Sequence, residues 1–347
     1  HRDLHSFPTR RSSDLSGFIG AALCRALVEA GHSVRAFHRP TSNPRMLQSL
    51  PVEHALGDLG HPETLAEAAA GMEVVFHAAA QMGARNQDVD RMYAITVEGT
   101  RALLQACRKA GVRRLVHTSS VAALGVPERT RRGVLNAPMD ETHTWNYRPE
   151  WWAYGYTKYL AEIEVQRAVA EGLDAVIVNP AHVLGAGDVY RQSNSLVVRV
   201  AMGRLPVLAE GGLNVVHLQD VVAGHLAALE HGRTGERYIL GGENLSIVDL
   251  VEKIAAVAGV TPPRVVLPAG LMRSLAVPLG WLEAYLDLPV SAAMFRQAGD
   301  FYYYDTAKAQ RDLHRPAQRP AEEASRAAYE WFVSVGAIPA ADRQSIV

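Results

Sequence analysis

Residues 16–31, SGFIGAALCRALVEAG, decide the fold. Gly17 and Gly20 bracket Phe18 and Ile19, and the residues after them carry apolar side chains at helical spacing up to Gly31. A glycine turn that opens a helix points free backbone N–H groups at whatever sits before it, which suits a phosphate. Such a turn follows a buried strand. Residues 1–15, HRDLHSFPTRRSSDL, are polar and contain Pro8, so they are not expected to supply that strand.

Strands and helices alternate beyond the turn. HSVRAFHR (32–39), VEHALGD (52–58), MEVVFHAAA (72–80), VRRLVHTSS (112–120) and LDAVIVNP (173–180) read as strands. They are short apolar runs rather than clean alternations, as a sheet covered on both faces requires. Between them lie helical stretches at 61–71, 88–111 and 151–172. Short connections and strict alternation predict an α/β protein with a doubly wound parallel sheet. After Pro180 the rhythm changes. A strand-then-helix unit and a short strand (GERYILGG) occupy 214–242, and the remainder is mostly helical and punctuated by prolines. The expected division is a dinucleotide-binding domain over 16–180, rejoined by 214–242. A smaller mixed C-terminal lobe for substrate is expected over 181–213 and 243–347, with the ligand cleft between the two.

Composition narrows the partners. The 347 residues are 48% hydrophobic and 20% charged, with a formal net charge of -1. That balance gives no reason to expect nucleic acid or an anionic membrane as partner. No apolar run approaches the roughly 20 residues of a membrane span, so no membrane insertion is expected. The two cysteines, Cys24 and Cys107, fall in helical stretches and read as buried thiols, in keeping with a cytoplasmic protein. His77, His117 and His217 lack metal-ligand spacing and read as core histidines; no metal is expected.

Tyr154-x-x-x-Lys158 carries the chemistry, with Ser119-Ser120 upstream at a strand end. Residues four apart share a helix face, so Lys158 is expected to set its ammonium near the Tyr154 phenol and lower its pKa. A phenol so tuned exchanges a proton with a carbonyl or alcohol oxygen, which the Ser120 hydroxyl could also bond. A tyrosine and a lysine four apart are common by chance. It is their order behind a glycine turn, alternating strands and a strand-end Ser-Ser that gives them meaning. The aromatic run HTWNYRPEWWAYGY, with Trp145, Tyr147, Trp151 and Trp152, fits either a substrate wall or a packed loop.

These motifs together resemble the extended short-chain dehydrogenase/reductases, the NAD(P)-dependent epimerase/dehydratase family. GFIG, GDL (57–59), FHAAA (76–80), VEGT (97–100), HTSS (117–120), YGYTK (154–158) and the Asn179-Pro180 pair carry the resemblance over residues 16 to about 335. GLNVVHLQDVVAGHLAALEHGRTGERYILGGENLS is similar to the dihydroflavonol-4-reductase-like branch, which includes hopanoid-associated sugar epimerases. The resemblance implies a Rossmann-type fold and an enzyme. It makes Tyr154 the general acid/base, Lys158 the holder of the nicotinamide ribose and Ser120 the group polarising the substrate oxygen. It implies cofactor contacts from Gly17, Phe18, Ile19, Gly20, Arg39, Asp58, Leu59, Ala78, Ala79, Ala80, Lys158, Asn179 and Pro180. Arg39 matches an arginine that faces a 2′-phosphate, and positions 37–39 hold no acid, so NADP(H) is favoured over NAD(H). Some relatives form a homodimer through the helices near 90–110 and 152–171, and others are monomers.

Departures from the family pattern refine the expectation. Its glycine turn begins with a glycine where this chain has Asp14, and residues 1–15 resemble a translated sequencing adapter, a non-native segment. Thr96 stands where relatives carry an asparagine. Leu213 stands where nucleotide-sugar members carry an arginine for the diphosphate, and TSSVAALG lacks the acidic pair of sugar-nucleotide dehydratases. Arg191, Arg199 and Arg204 read as solvated. The leading expectation is an oxidoreductase reducing a carbonyl, or oxidising an alcohol, on a small substrate. A sugar epimerase with the same three residues and a retained cofactor is the alternative. A dinucleotide-binding sensor without turnover is a third reading.

Overall fold

Apolar runs become fully buried strands wherever helices cover both faces. The computed structural model describes residues 10–13, 17–42, 44–79, 89–130, 133–134, 137–189, 195–283 and 292–339. In chain order the principal strands are β1 (Arg10–Ser13), β2 (Val34–His38), β3 (Glu53–Leu56), β4 (Val74–His77), β5 (Arg114–Thr118), β6 (Ala175–Pro180), β7 (His182–Leu184), β8 (Gly212–His217), β9 (Arg237–Leu240), β10 (Glu243–Ser246) and β11 (Phe301–Tyr302). The 7-stranded sheet runs β9-β6-β5-β4-β1-β2-β3, and every pairing in it is parallel. Its order reverses between β1 and β4, which opens a crevice at the C-terminal strand ends. Edge strand β3 (EHAL) is largely exposed, as its polar residues allow, whereas β4 and β6 are buried throughout.

Two helical layers sandwich this sheet. Helices α1 (Phe18–Glu29), α2 (Pro62–Ala69), α3 (Gly99–Lys109), α4 (Ala153–Ala170) and α5 (Leu218–His231) pack on it. Leu23 and Leu27 of α1 and Val221 and Val222 of α5 join Val74, Phe76, Val116, Val176 and Val178 on one face. Leu65 of α2, Leu103 and Cys107 of α3 and Val165 of α4 join Val75, Leu115, Ala175 and Ile177 on the other. The alternation along each strand sends neighbours to opposite layers. Both cysteines are buried free thiols.

The structure corrects the reading of residues 1–14 as unable to form the first strand. Arg10–Ser13 form β1 between β2 and β4, with Arg10 opposite both Val34 and Val74 and Ser13 opposite both Phe37 and His77. The reason is that the ladder is made by backbone groups, which any non-proline residue supplies. Two strands in place on either side present matching rows of donors and acceptors. Asp14 and Ala80 lie outside the described residues.

The segment expected as one helix over 88–111 is divided. A turn, Val89–Tyr93, leads into a wide helical segment at Ala94–Glu98 and then into α3. At the junction a side chain on Gly99 would approach the Leu59 side chain to 2.8 Å, so glycine lets α3 start against the turn after β3.

The chain after Pro180 builds a second, 4-stranded sheet, β10-β8-β11 with β7 beside β8. Of the stretch expected to rejoin the large sheet, α5 and β9 do so. Strand β8 belongs to the smaller sheet instead, antiparallel to β10 and parallel to β7 and β11. Helices Ile247–Ala258 and Ala321–Ser334 close a separate core there through Leu250, Ile254, Ala324 and Ala328. No helix among the described residues is long and apolar enough to cross a membrane.

Candidate active site

Parallel strands place all their C-terminal ends on one edge, and the anticipated site residues follow them there. Arg39 comes one residue after β2, Asp58 and Leu59 two and three after β3, Ala78 and Ala79 directly after β4, and Ser119-Ser120 directly after β5. Gly17 caps α1 in an extended conformation with no side-chain cap, and the first turn of that helix holds no acid. The early N–H groups of α1 are thus available to an anion, which fits the pyrophosphate of a dinucleotide. Gly20 is buried, and Phe18 and Ile19 are half-buried against the core. Leu59 is itself buried, and Asp58 turns one carboxylate oxygen to the Gly60 N–H at 2.9 Å.

Ser120, Tyr154 and Lys158 come together where β5 meets the start of α4. Ser120 caps the short turn Val121–Leu124, its hydroxyl accepting from the Ala122 N–H at 3.2 Å. Tyr154, in the first turn of α4, lies close enough for that hydroxyl to act on its phenol: burial pushes the phenol above its ordinary pKa, and Ser120 pulls against it. Lys158, one turn on, is buried and donates to the Thr118 carbonyl at 2.8 Å. Its pKa is pushed down to about 8 by burial, with Glu162 opposing. The ammonium is thus aimed at the Thr118 carbonyl of β5, and the influences on the phenol are burial and Ser120.

The aromatic run resolves as a packed loop. Trp145 stacks on Tyr159 and meets Tyr156 and Trp152 at a tilt, with ring centroids 6.2, 5.5 and 6.1 Å away. At 100° per residue, Tyr156 and Tyr159 lie 200° and 140° round α4 from Tyr154, on its far side. A side chain on Gly155 would come within 2.7 Å of Trp145 and 2.9 Å of the Ala122 carbonyl, so glycine seats this loop beside the site. Trp151 lies beneath the Arg148 and Arg296 guanidinium groups.

A buried polar layer lies under the three residues, and Glu162, Arg237 and His225 among its members went unnoticed in the sequence. Glu162 accepts from Ser119 Oγ at 2.5 Å, Asn179 Nδ2 at 2.6 Å and Arg237 Nη1 at 3.0 Å. Asn179 Nδ2 also donates to the Ser120 carbonyl at 2.9 Å, so this amide nitrogen is engaged inside the protein. Pro180 is buried beside it. On the opposite face, His225 Nδ1 donates to the Val221 carbonyl at 2.7 Å, which leaves Nε2 to accept from the Thr118 hydroxyl at 2.8 Å. The Thr100 hydroxyl donates to the Thr96 carbonyl and accepts from His77 Nε2 at 2.8 Å. The His77 and His117 rings lie 5.0 Å apart at a tilt, and both are held neutral by burial and by the nearby Lys158 charge. The spacing of Glu162, four residues after Lys158 and eight after Tyr154, was the available signal.

Other candidates stand apart. Leu213 packs with the apolar core of the second lobe. Arg199 and Arg204 are exposed, and Arg191 lies outside the described residues. His217 caps α5, its Nδ1 accepting from the Gln219 N–H. No group of metal-binding residues occurs among the described residues.

This arrangement, a dinucleotide crevice beside a hydroxyl, a phenol and an ammonium, defines a nicotinamide-dependent enzyme of the oxidoreductase/epimerase kind. The NAD-dependent epimerase/dehydratase family model matches residues 15–241, and the chain belongs to that family. It is 34% identical to a putative dihydroflavonol 4-reductase of Synechocystis over 92% of this chain and 93% of that one. It is 36% identical to sterol demethylase protein B of Methylococcus capsulatus over 76% and 78%. The crystal structure of gox2253 superposes with a TM-score of 0.82 at 36% identity, covering 94% of this chain and 98% of that one.

Proposed function

We propose that the protein is an NADP(H)-dependent carbonyl reductase, or alcohol dehydrogenase in reverse, acting on a small and largely apolar substrate through Ser120, Tyr154 and Lys158. The juxtaposition of Ser120, just beyond β5, with Tyr154 in the first turn of α4, both half-buried, carries the reading. Two neighbouring hydroxyls can both reach a single substrate oxygen. Ser120 orients that oxygen and Tyr154 gives it a proton at the phenol oxygen, or takes one back. The first turn of α4 favours negative charge on the phenol as the proton leaves. In this reading Lys158 holds the nicotinamide ribose and contacts no substrate. The bound nicotinamide supplies the hydride.

The substrate class rests on what the second lobe offers. Leu213 is packed in apolar surroundings, and Arg199 and Arg204 point to solvent, so a nucleotide diphosphate would find no cation from these positions. Relatives named for reduction of a flavonoid and for sterol demethylation point the same way. Arg39 beside β2, with no acid at 37–39, supports NADP(H). Residues 16–180 with α5 and β9 form the cofactor domain in this reading, the rest after 180 forms the substrate lobe, and residues 1–15 are a non-native lead. The test is turnover of alicyclic and aromatic ketones followed at the nicotinamide absorbance band. A reductase consumes cofactor mole for mole. Conversion of a sugar with no net absorbance change would identify an epimerase instead.

A further inference from the structure

Glu162 is a carboxylate sealed in the protein with three donors aimed at it. Its side chain is 6% exposed and that of its partner Arg237 18%. Such a pair does not repay its desolvation unless the remaining lone pairs are also satisfied, and here they are. Ser119 and Asn179 share Oε1, and Arg237 holds Oε2. Arg237 is fixed in turn by the Glu141 and His143 carbonyls. The carboxylate therefore ties α4 to β9, to β6 and to the segment leaving β5.

That segment is the one carrying Ser120. Each of its residues is held from a different side: Thr118 by Lys158 and His225, Ser119 by Glu162, and the Ser120 carbonyl by Asn179. Two of these ties end on Glu162. We propose that Glu162 is a positioning residue, fixing Ser120 through Ser119 and Asn179 while providing the negative charge that accompanies the buried Lys158 ammonium. This rests on the roles assigned above to Ser120, Tyr154 and Lys158. Glu162 touches no substrate; it acts through its neighbours.

The charge part has a readout independent of turnover. The groups acting on the Lys158 ammonium are Glu162 from its own helix, His77 from β4 and His117 from β5; Arg237 from β9 faces Glu162. Lysines occur at only four positions, Lys109, Lys158, Lys253 and Lys308, so each ε-ammonium can be followed by NMR in labelled full-length protein. Lys158 should titrate near pH 8 in the parent. Glu162→Gln keeps the side-chain shape and removes the charge, and Lys158 should then titrate about one pH unit lower. Ser119→Ala keeps the charge and removes one tie, so the titration should stay while kcat for a ketone falls about tenfold at unchanged KM for NADPH. Glu162→Asp should restore the titration in part.

A Lys158 titration unmoved by Glu162→Gln would overturn the charge role. Unchanged kcat in Ser119→Ala would overturn the positioning role. If Glu162→Gln fails to fold, Glu162→Asp carries the charge test in weaker form, since the shorter side chain draws the carboxylate back and Lys158 should titrate below the parent, an unmoved titration overturning the role; Ser119→Ala carries the positioning test as before. Tyr154→Phe is run alongside. Full turnover in that variant refutes the assigned reaction, whatever Glu162 does; loss of turnover there, with Glu162 variants indistinguishable from the parent, refutes only the present inference.

Discussion

The Lys158 ammonium donates to the Thr118 carbonyl at 2.8 Å, so the lysine is anchored to the last residue of β5. The helix bearing Tyr154 and the strand end bearing Ser120 are thereby pinned together. Tyr154 and Ser120 remain half-buried and face the crevice, and the lysine beneath them is buried. The proton-exchanging pair is therefore presented by a rigid support, which is what positioning catalysis needs.

Tyr154→Phe should test the acid/base assignment most directly. It removes one hydroxyl at the crevice and leaves the anion-binding end of α1 untouched. Ketone reduction should fall by about 10² to 10⁴-fold, as for loss of a general acid. NADPH affinity, measured by fluorescence quenching, should change by less than about threefold.

Acid should destabilise the protein through its buried histidines. His77, His117 and His225 are all pushed below the ordinary histidine pKa, His77 to about 3 and His225 to about 4, with burial the main cause. A histidine whose folded pKa is lowered binds its proton more readily in the unfolded chain. The stability is thus fully present above pH 6.5 and is lost as pH falls from there toward the folded values. Each histidine contributes a slope of about 1.4 kcal/mol per pH unit in that window. Urea unfolding at pH 7.5, 6 and 5 should show the midpoint falling steeply below 6.5. His117→Phe keeps the ring shape and should flatten the fall; an unchanged slope would refute the assignment to that residue.

Gly155 offers a test of the packing beside the site. Its missing side chain is the space occupied by Trp145 and the Ala122 carbonyl, at 2.7 and 2.9 Å. The carbonyl cannot swing away freely because its turn is capped by Ser120. Gly155→Ala should cost about 1 to 3 kcal/mol of stability, as overpacking does. Because α4 must shift to accept it, ketone turnover should fall as well, with NADPH binding retained.

Much of this architecture was legible in the chain itself. VVFH in β4 and AVIVNP in β6 are apolar because both faces are covered, and that alone announces a parallel sheet. Tyr154 and Lys158 announced themselves by helical spacing. The ammonium's target did not, because Thr118 contributes only a carbonyl, which every residue has. Glu162 and Arg237 are 75 positions apart, and no local pattern reveals a buried ion pair made by topology. The first strand was misjudged for a related reason: composition reports side chains, while β1 is held by backbone groups of β2 and β4.

Cofactor choice should turn on Arg39. It stands one residue beyond β2, at the place where an acid would bind a ribose hydroxyl and an arginine a 2′-phosphate. Charge-assisted bonds of this kind are worth about 1.5 to 3 kcal/mol. Arg39→Ala should weaken NADPH binding about tenfold to a hundredfold and leave NADH nearly unchanged. Equal losses for both cofactors would remove the argument for NADP(H).

The central strand makes the last prediction. RRSS occupies a position that, in a sheet covered by helices on both faces, ordinarily reads as continuous Val, Ile and Leu. The backbone ladder to β2 and β4 forms, while the sequence RRSS offers no Val, Ile or Leu of the kind a central strand normally supplies. In the sequence Asp14 stands where the family's pattern has the first glycine of its phosphate-binding turn. A combined variant, Arg10→Val, Arg11→Leu, Ser12→Val, Ser13→Thr and Asp14→Gly, should therefore raise Tm by about 3 to 5 °C, given roughly 1.4 °C per kcal/mol for a chain of 347 residues. It should also tighten NADPH binding by tenfold or more. Comparison of thermal melts and NADPH titrations between the two chains decides it: identical values in both would show that the polar strand and its carboxylate cost this enzyme nothing.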